Sequence, residues 1–105
     1  MLVATKWKSR PMSPDDLSRM METWGKLEAD LAAHPDVERL CWYAHADGTG
    51  GFTVSRVTDT DGAMAFYNEI IASMTEFIEV ETELVIEMDT VMEVVPKLME
   101  RVGAS

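Results

Sequence analysis

Hydrophobic and polar positions alternate with one period and then another along this chain. Residues 2–8 alternate strictly: Val3, Thr5 and Trp7 fall on one side, Leu2, Ala4 and Lys6 on the other. That is the period of a half-buried strand. Ser13-Pro14-Asp15-Asp16 then reads as a helix start, with a capping serine, a proline suited to the first turn and two carboxylates at the positive end of the dipole. Leu17, Met20, Met21, Trp24, Leu27 and Leu31 follow at helical spacing until His34-Pro35 ends the run. Val37 to His45 reads as a second strand, with Leu40, Trp42 and Ala44 against Cys41, Tyr43 and His45. Asp47-Gly48-Thr49-Gly50-Gly51 supplies a turn, and Phe52 to Val57 returns as its partner. Thr58-Asp59-Thr60-Asp61 offers caps for a second helix with the stripe Ala63, Phe66, Tyr67, Ile70, Ile71 and Met74. Residues 77–87 alternate again. Ile78, Val80, Thr82, Leu84 and Ile86 oppose Glu79, Glu81, Glu83 and Glu87. Asp89 can cap a last helix striped by Val91, Val94, Val95, Leu98 and Val102, which Pro96 should kink or restart.

The order strand, helix, strand, strand, helix, strand predicts an α+β, ferredoxin-like βαββαβ sandwich with an added C-terminal helix. At 105 residues the chain suits one domain, residues 1–105. Both long helices must pack on one face of the sheet. The opposite face is expected to carry Val3, Thr5, Trp7, Cys41, Tyr43, His45, Thr53 and Ser55, a mixture too apolar to stay wet and too polar for a dry core. A second copy packed face to face would cover it and enclose a cavity. That arrangement is the dimeric α/β barrel, and the partner expected is a homodimeric one. The glutamates of the last strand then form either a solvated face or an acidic lining.

Charge narrows the partners. The formal net charge is −10, so nucleic acid and anionic membrane are not expected. A single cysteine rules out an intramolecular disulfide and suits a reducing, cytoplasmic setting. The N-terminal residues lack the apolar core of a signal peptide, and no run is long enough for a membrane span.

Chemistry is sparse. There is no glycine-rich phosphate loop, His-x-x-x-His pair or Cys-x-x-Cys, so no cofactor and no metal is expected. His45 is the acid–base candidate, since an imidazole near pKa ~6.5 is easily tuned; the other reading is an exposed turn histidine. Tyr43 beside it is the candidate partner in proton transfer. Trp7 and Tyr43 have the parity to stack on a flat ligand, with Thr5, Cys41, Thr53 and Ser55 lining the same cavity as substrate-binding residues. Trp24 and Trp42 are expected in the core.

The hairpin Tyr43-Ala44-His45-Ala46-Asp47-Gly48-Thr49-Gly50-Gly51-Phe52 resembles that of a short uncharacterised actinobacterial family in the dimeric α/β-barrel group. Ala44 stands between the aromatic and the histidine, one residue more than that family's usual spacing. The stretch from Glu76-Phe77 through Val94-Val95-Pro96 is similar to its closing strand and helix, and Thr5-Lys6-Trp7 to its opening strand. The wider group includes cofactor-independent monooxygenases, cyclases and isomerases of aromatic or polyketide metabolism. The resemblance therefore implies a small-molecule-binding barrel, an enzyme of that kind acting on a hydrophobic or aromatic substrate of specialised metabolism. The alternative is a non-catalytic ligand-binding or accessory dimer.

Overall fold

The computed structural model describes residues 1–103; positions 104 and 105 of the expected domain lie outside the described residues. The elements run β1 (Leu2–Ser9), α1 (Pro14–Ala33), β2 (Val37–Ala44), β3 (Gly50–Val57), α2 (Asp61–Ser73), β4 (Ile78–Val85) and α3 (Met88–Gly103). The four strands form one antiparallel sheet in the order β2-β3-β1-β4, the ferredoxin-like topology.

Local chemistry sets the element ends. The Ser13 hydroxyl accepts from the Asp16 amide at 3.1 Å, and the Asp16 carboxylate accepts from the Ser13 amide at 3.2 Å, a complete capping box with Pro14 in the first turn. Those hydrogen bonds from Ser13, aided by Arg19, hold the Asp16 carboxyl below its ordinary pKa. The helix ends where Pro35 excludes helical geometry from His34. Thr60 caps α2 by accepting from the Ala63 amide at 3.2 Å. In the β2–β3 turn Gly48 takes a φ of 75°, the left-handed region that a side chain disfavours. Asp47 braces that turn by accepting from the Thr49 amide and hydroxyl, which lowers its pKa.

The strand register corrects the expected faces. Thr5 pairs with Thr53 on β3 and Thr82 on β4, while Trp7 pairs with Gly51 and Val80. Directly paired residues share a face, so Val3, Thr5, Trp7, Thr53, Ser55 and Val80 lie together. That shared face is the one under α1 and α2, not the open one. Cys41 and Tyr43 do lie on the open face, paired with Val54 and Phe52. The reason is the charge on alternate positions. Lys6, Lys8 and Arg56 need water, and their parity sends Thr5, Trp7 and Ser55 inward. Glu79, Glu81 and Glu83 are exposed on the same open side. Leu40 is a bulge between Arg39 and Cys41, and the extra residue leaves both Arg39 and Trp42 on the helix side.

The core lies under α2. Val3, Val57, Ala63 and Tyr67 are buried together, with Val37, Met64 and Ile71 packed around them. Helix α1 buries no residue completely. It is held to the rest by a few discrete ties: His34 stacks on Phe66 with ring centres 4.0 Å apart, Arg19 ion-pairs with Glu76, and Arg39 grips Glu28. Helix α3 continues through Pro96 without restarting and buries nothing.

Candidate functional site

Because α1 stands off the sheet, a cavity of about 500 Å³ remains between the sheet, α1 and α2. Its walls are apolar. Met20, Met21, Trp24 and Leu31 come from α1, and Ile70, Ile71 and Met74 follow α2 into its C-terminal turn. Trp7, Ile78 and Val80 close the β1–β4 side. Trp24 and Trp42, expected in the core, instead form a wall of this cavity with ring centres 5.5 Å apart; Trp42 is 46% exposed. These indoles line the gap rather than close it.

The floor is hydroxylated. Thr5 Oγ1 and the Tyr67 hydroxyl are 2.5 Å apart, in residues 5% and 6% exposed. Thr53 and Ser55 flank them on the neighbouring strand and also line the cavity. Ser55 is 4% exposed, and its hydroxyl has no hydrogen-bond partner among the described residues. Among the described residues no sealed side-chain nitrogen or oxygen lacks a partner, so the Ser55 oxygen is open to the cavity and available to a molecule inside it. At the β2 wall, the Arg39 guanidinium binds the Glu28 carboxylate through two contacts and lies 4.2 Å over the Trp42 ring. This neutralised pair adds a polar rim without free charge.

Gly51 makes room for Trp7. A Cβ there would overlap both the Trp7 indole and the Tyr43 carbonyl, so the ring can lie flat over the backbone at this position only because the side chain is missing.

Of the residues that sequence reasoning singled out, Thr5, Trp7, Thr53 and Ser55 come together in this cavity. Tyr43 stands on the other side of the sheet, 61% exposed and against Phe52, and Cys41 shares that side half-buried. His45 is exposed at the hairpin end, where its amide donates to the Gly50 carbonyl. The residue that sequence reasoning missed is Tyr67. It reads as one more apolar position of the α2 stripe, and only its hydroxyl, among neighbours with none, marked it as different. Among the described residues no three His, Cys, Asp or Glu side chains are placed to hold a metal ion, and no helix is long and apolar enough to cross a membrane.

No protein-family model matches the chain, and no curated protein matches it. Solved structures do. Rv0793 from Mycobacterium tuberculosis is similar with a TM-score of 0.54 at 18% identity, over 83% of this chain and 97% of that one. A candidate antibiotic biosynthesis monooxygenase from Deinococcus radiodurans gives 0.49 at 12% identity, over 83% of this chain and 94% of that one. A dimeric ferredoxin-like protein of unknown function from Thermobifida fusca gives 0.45 at 17%, over 81% and 92%. The likeness to Rv0793 is one of fold, and it agrees with the ferredoxin-like order of elements.

Proposed function

We propose that this chain binds a small, flat, largely hydrophobic or aromatic molecule between its sheet and helices α1 and α2. It then acts on that molecule as a cofactor-independent enzyme of monooxygenase, cyclase or isomerase type in specialised metabolism. The observation that carries this reading is an apolar cavity of about 500 Å³ with a cluster of buried hydroxyls at its floor. Its size falls within the range of ligand pockets, roughly 300–1,000 Å³, and it pairs apolar walls with a few convergent polar groups. Indole walls suit a ring system, and Thr5, Ser55 and Tyr67 suit a phenol or carbonyl oxygen at one edge of it.

In this reading Tyr67 is the proton-handling residue. Its hydroxyl can donate to a ligand oxygen while accepting from Thr5, so the pair polarises that oxygen and steadies the charge that forms there. His45 and Tyr43 stand outside the cavity and have no part in it within one protomer. A non-catalytic carrier is the second reading. It is favoured by the lining itself, which among the described residues carries no histidine and whose only carboxylate, Glu28, is paired with Arg39. The chain works as a homodimer, since its open sheet face exposes Tyr43 at 61% and Phe52 at 39%. The single cysteine fits a cytoplasmic location, and the hairpin fits membership of the actinobacterial family it resembles.

The test is a titration of tryptophan fluorescence with hydroxylated polycyclic aromatics, followed by product analysis in air. Saturable quenching that weakens on Ser55→Ala is expected. Turnover lost in Tyr67→Phe with binding kept supports the enzyme; binding with no product supports the carrier. Absence of saturable binding by any ring compound would refute both.

A further inference from the structure

We propose that Glu28 is a specificity-determining residue of the cavity: by occupying Arg39 it restricts the site to uncharged ligands such as phenols and ketones, and shuts out ring carboxylates. The inference rests on the binding reading above and narrows its ligand class. Among the described residues that line the cavity, Arg39 is the one cation and Glu28 the one carboxylate. They are bonded to each other. Arg39 Nη1 donates to Glu28 Oε2 at 3.0 Å and Nη2 to Oε1 at 2.5 Å, the two-pronged pairing that suits a guanidinium to a carboxylate. The two side chains are 31% and 37% exposed, so the pair stands at the rim between solvent and the apolar interior.

The fold turns both groups toward the ligand space. On α1, Trp24 lies four residues before Glu28 and Leu31 three residues after it, which puts the carboxylate on the same side of the helix as these two cavity walls. On β2, the bulge at Leu40 brings Arg39 and Trp42 to the helix side together. The guanidinium then lies 4.2 Å over the indole, which holds it against the wall. Arg39 is also paired directly with Ser55 across β2 and β3. Paired residues have Cβ atoms about 4.5–5.5 Å apart, so a ligand oxygen held by the Ser55 hydroxyl enters the corner of the site that Arg39 and Glu28 control.

Charge decides what that corner accepts. Ser55 is buried from bulk solvent, and its hydroxyl can donate to a carbonyl or accept from a phenol. An uncharged oxygen is therefore satisfied there without a counter-ion. A ring carboxylate brought to the same place sheds its water, which is costly for an ion that finds no partner of opposite charge. The cation beside it is already neutralised, and Glu28 sets a like charge nearby. Thr5, Thr53 and Tyr67 offer only uncharged hydroxyls. Discrimination of this kind comes from an element that repels the wrong ligand as well as from contacts with the right one. Removing the charge of Glu28 leaves the guanidinium uncompensated and should reverse the exclusion.

The experiment titrates a matched pair of probes into the full chain by calorimetry at neutral pH: naphthol, which is uncharged there, and naphthoate, its ionised counterpart substituted at the same ring carbon. The readout is the ratio of the two dissociation constants, in which a general loosening of α1 cancels. In the natural chain naphthoate should bind about 100-fold more weakly or worse, a test that needs no variant. Glu28→Gln should cut that ratio by about tenfold or more through a gain in naphthoate affinity. Adding Arg39→Gln to Glu28→Gln should restore the discrimination, because the cation that takes the carboxylate is gone. Asp30→Asn removes an equal charge from an exposed site of α1 outside the cavity, and should leave the ratio as it is. Equal binding of both probes by the natural chain, or a ratio that Glu28→Gln does not change, would overturn the role of Glu28 and leave the cavity reading standing. No binding of either probe by the natural chain or by Glu28→Gln would overturn the cavity reading and this inference with it.

Discussion

Tyr67→Phe tests the hydroxyl floor most directly. The substitution keeps the ring in the core beside Val3 and Val57 and removes one oxygen. Thr5 Oγ1, in a residue 5% exposed, then loses the partner it held at 2.5 Å. A buried hydroxyl left without a partner costs about 1–3 kcal/mol. Here the cavity admits water beside Thr5, so the lower end of that range applies, roughly 1–1.5 kcal/mol. Thr5→Val should cost a similar amount, because it strands the Tyr67 hydroxyl. The double variant removes both polar atoms and leaves two apolar groups of nearly the same shape, a change that is close to neutral. The two single costs should therefore fail to add, with a coupling of about 2–3 kcal/mol. Urea unfolding followed by tryptophan fluorescence measures all three variants. In thermal unfolding each single variant should melt lower by about 4–8 °C per kcal/mol, as for a domain of this size. Additive losses in the double variant would refute the reasoning, because they would mean the two hydroxyls do not depend on each other.

The remaining expectations concern the frame around the cavity. Gly51→Ala should displace Trp7 and cost about 1–3 kcal/mol by overpacking, read as a lower urea midpoint and an altered tryptophan spectrum. Glu28→Gln should loosen α1 from β2 by removing the bidentate contact to Arg39, whose side chain is 31% exposed. Faster amide exchange along α1 than along β1 would show it, and equal exchange would rule it out. Asp16 and Asp47 both have folded-state pKa values below the ordinary 3.8, so their contributions are present above that value and are lost as pH falls through the lowered ones. Acid titration of stability should therefore show a loss below about pH 4 that is smaller in Asp16→Asn and Asp47→Asn; curves identical to that of the natural chain would contradict the assignment. Ser13→Ala should cost about 1 kcal/mol through the lost cap, measured by thermal melting.

Much of this structure was legible in the chain because its causes are local. Ser13, Pro14 and Asp16 mark a helix start through bonds that reach only three residues. Pro35 marks its end for the same reason. Strict alternation in β1 and β4 fixed which residues share a face of their own strand, since the period of two is a property of the backbone. From those pieces the order of elements, and with it the ferredoxin-like sandwich, could be read. The floor of the cavity was half legible too. Thr5, Trp7, Thr53 and Ser55 were grouped correctly by parity, but they were set on the wrong side of the sheet.

Which side the helices cover is not a local property. It depends on α1 and α2 crossing the sheet on the face that spares Lys6, Lys8 and Arg56 from burial, a balance of desolvation over two strands. Leu40 shows the same limit at a single residue, because only pairing with β3 reveals that one position is extra. Tyr67 needed a partner 62 residues away to become more than a core aromatic. Composition and spacing thus determined the elements, the caps and the acidic surface, which arise within a few residues of one another. The tertiary structure alone decided the covered face, the hydroxyl pair and the cavity that α1 leaves open, because each is set by contacts made, or not made, between distant parts of the chain.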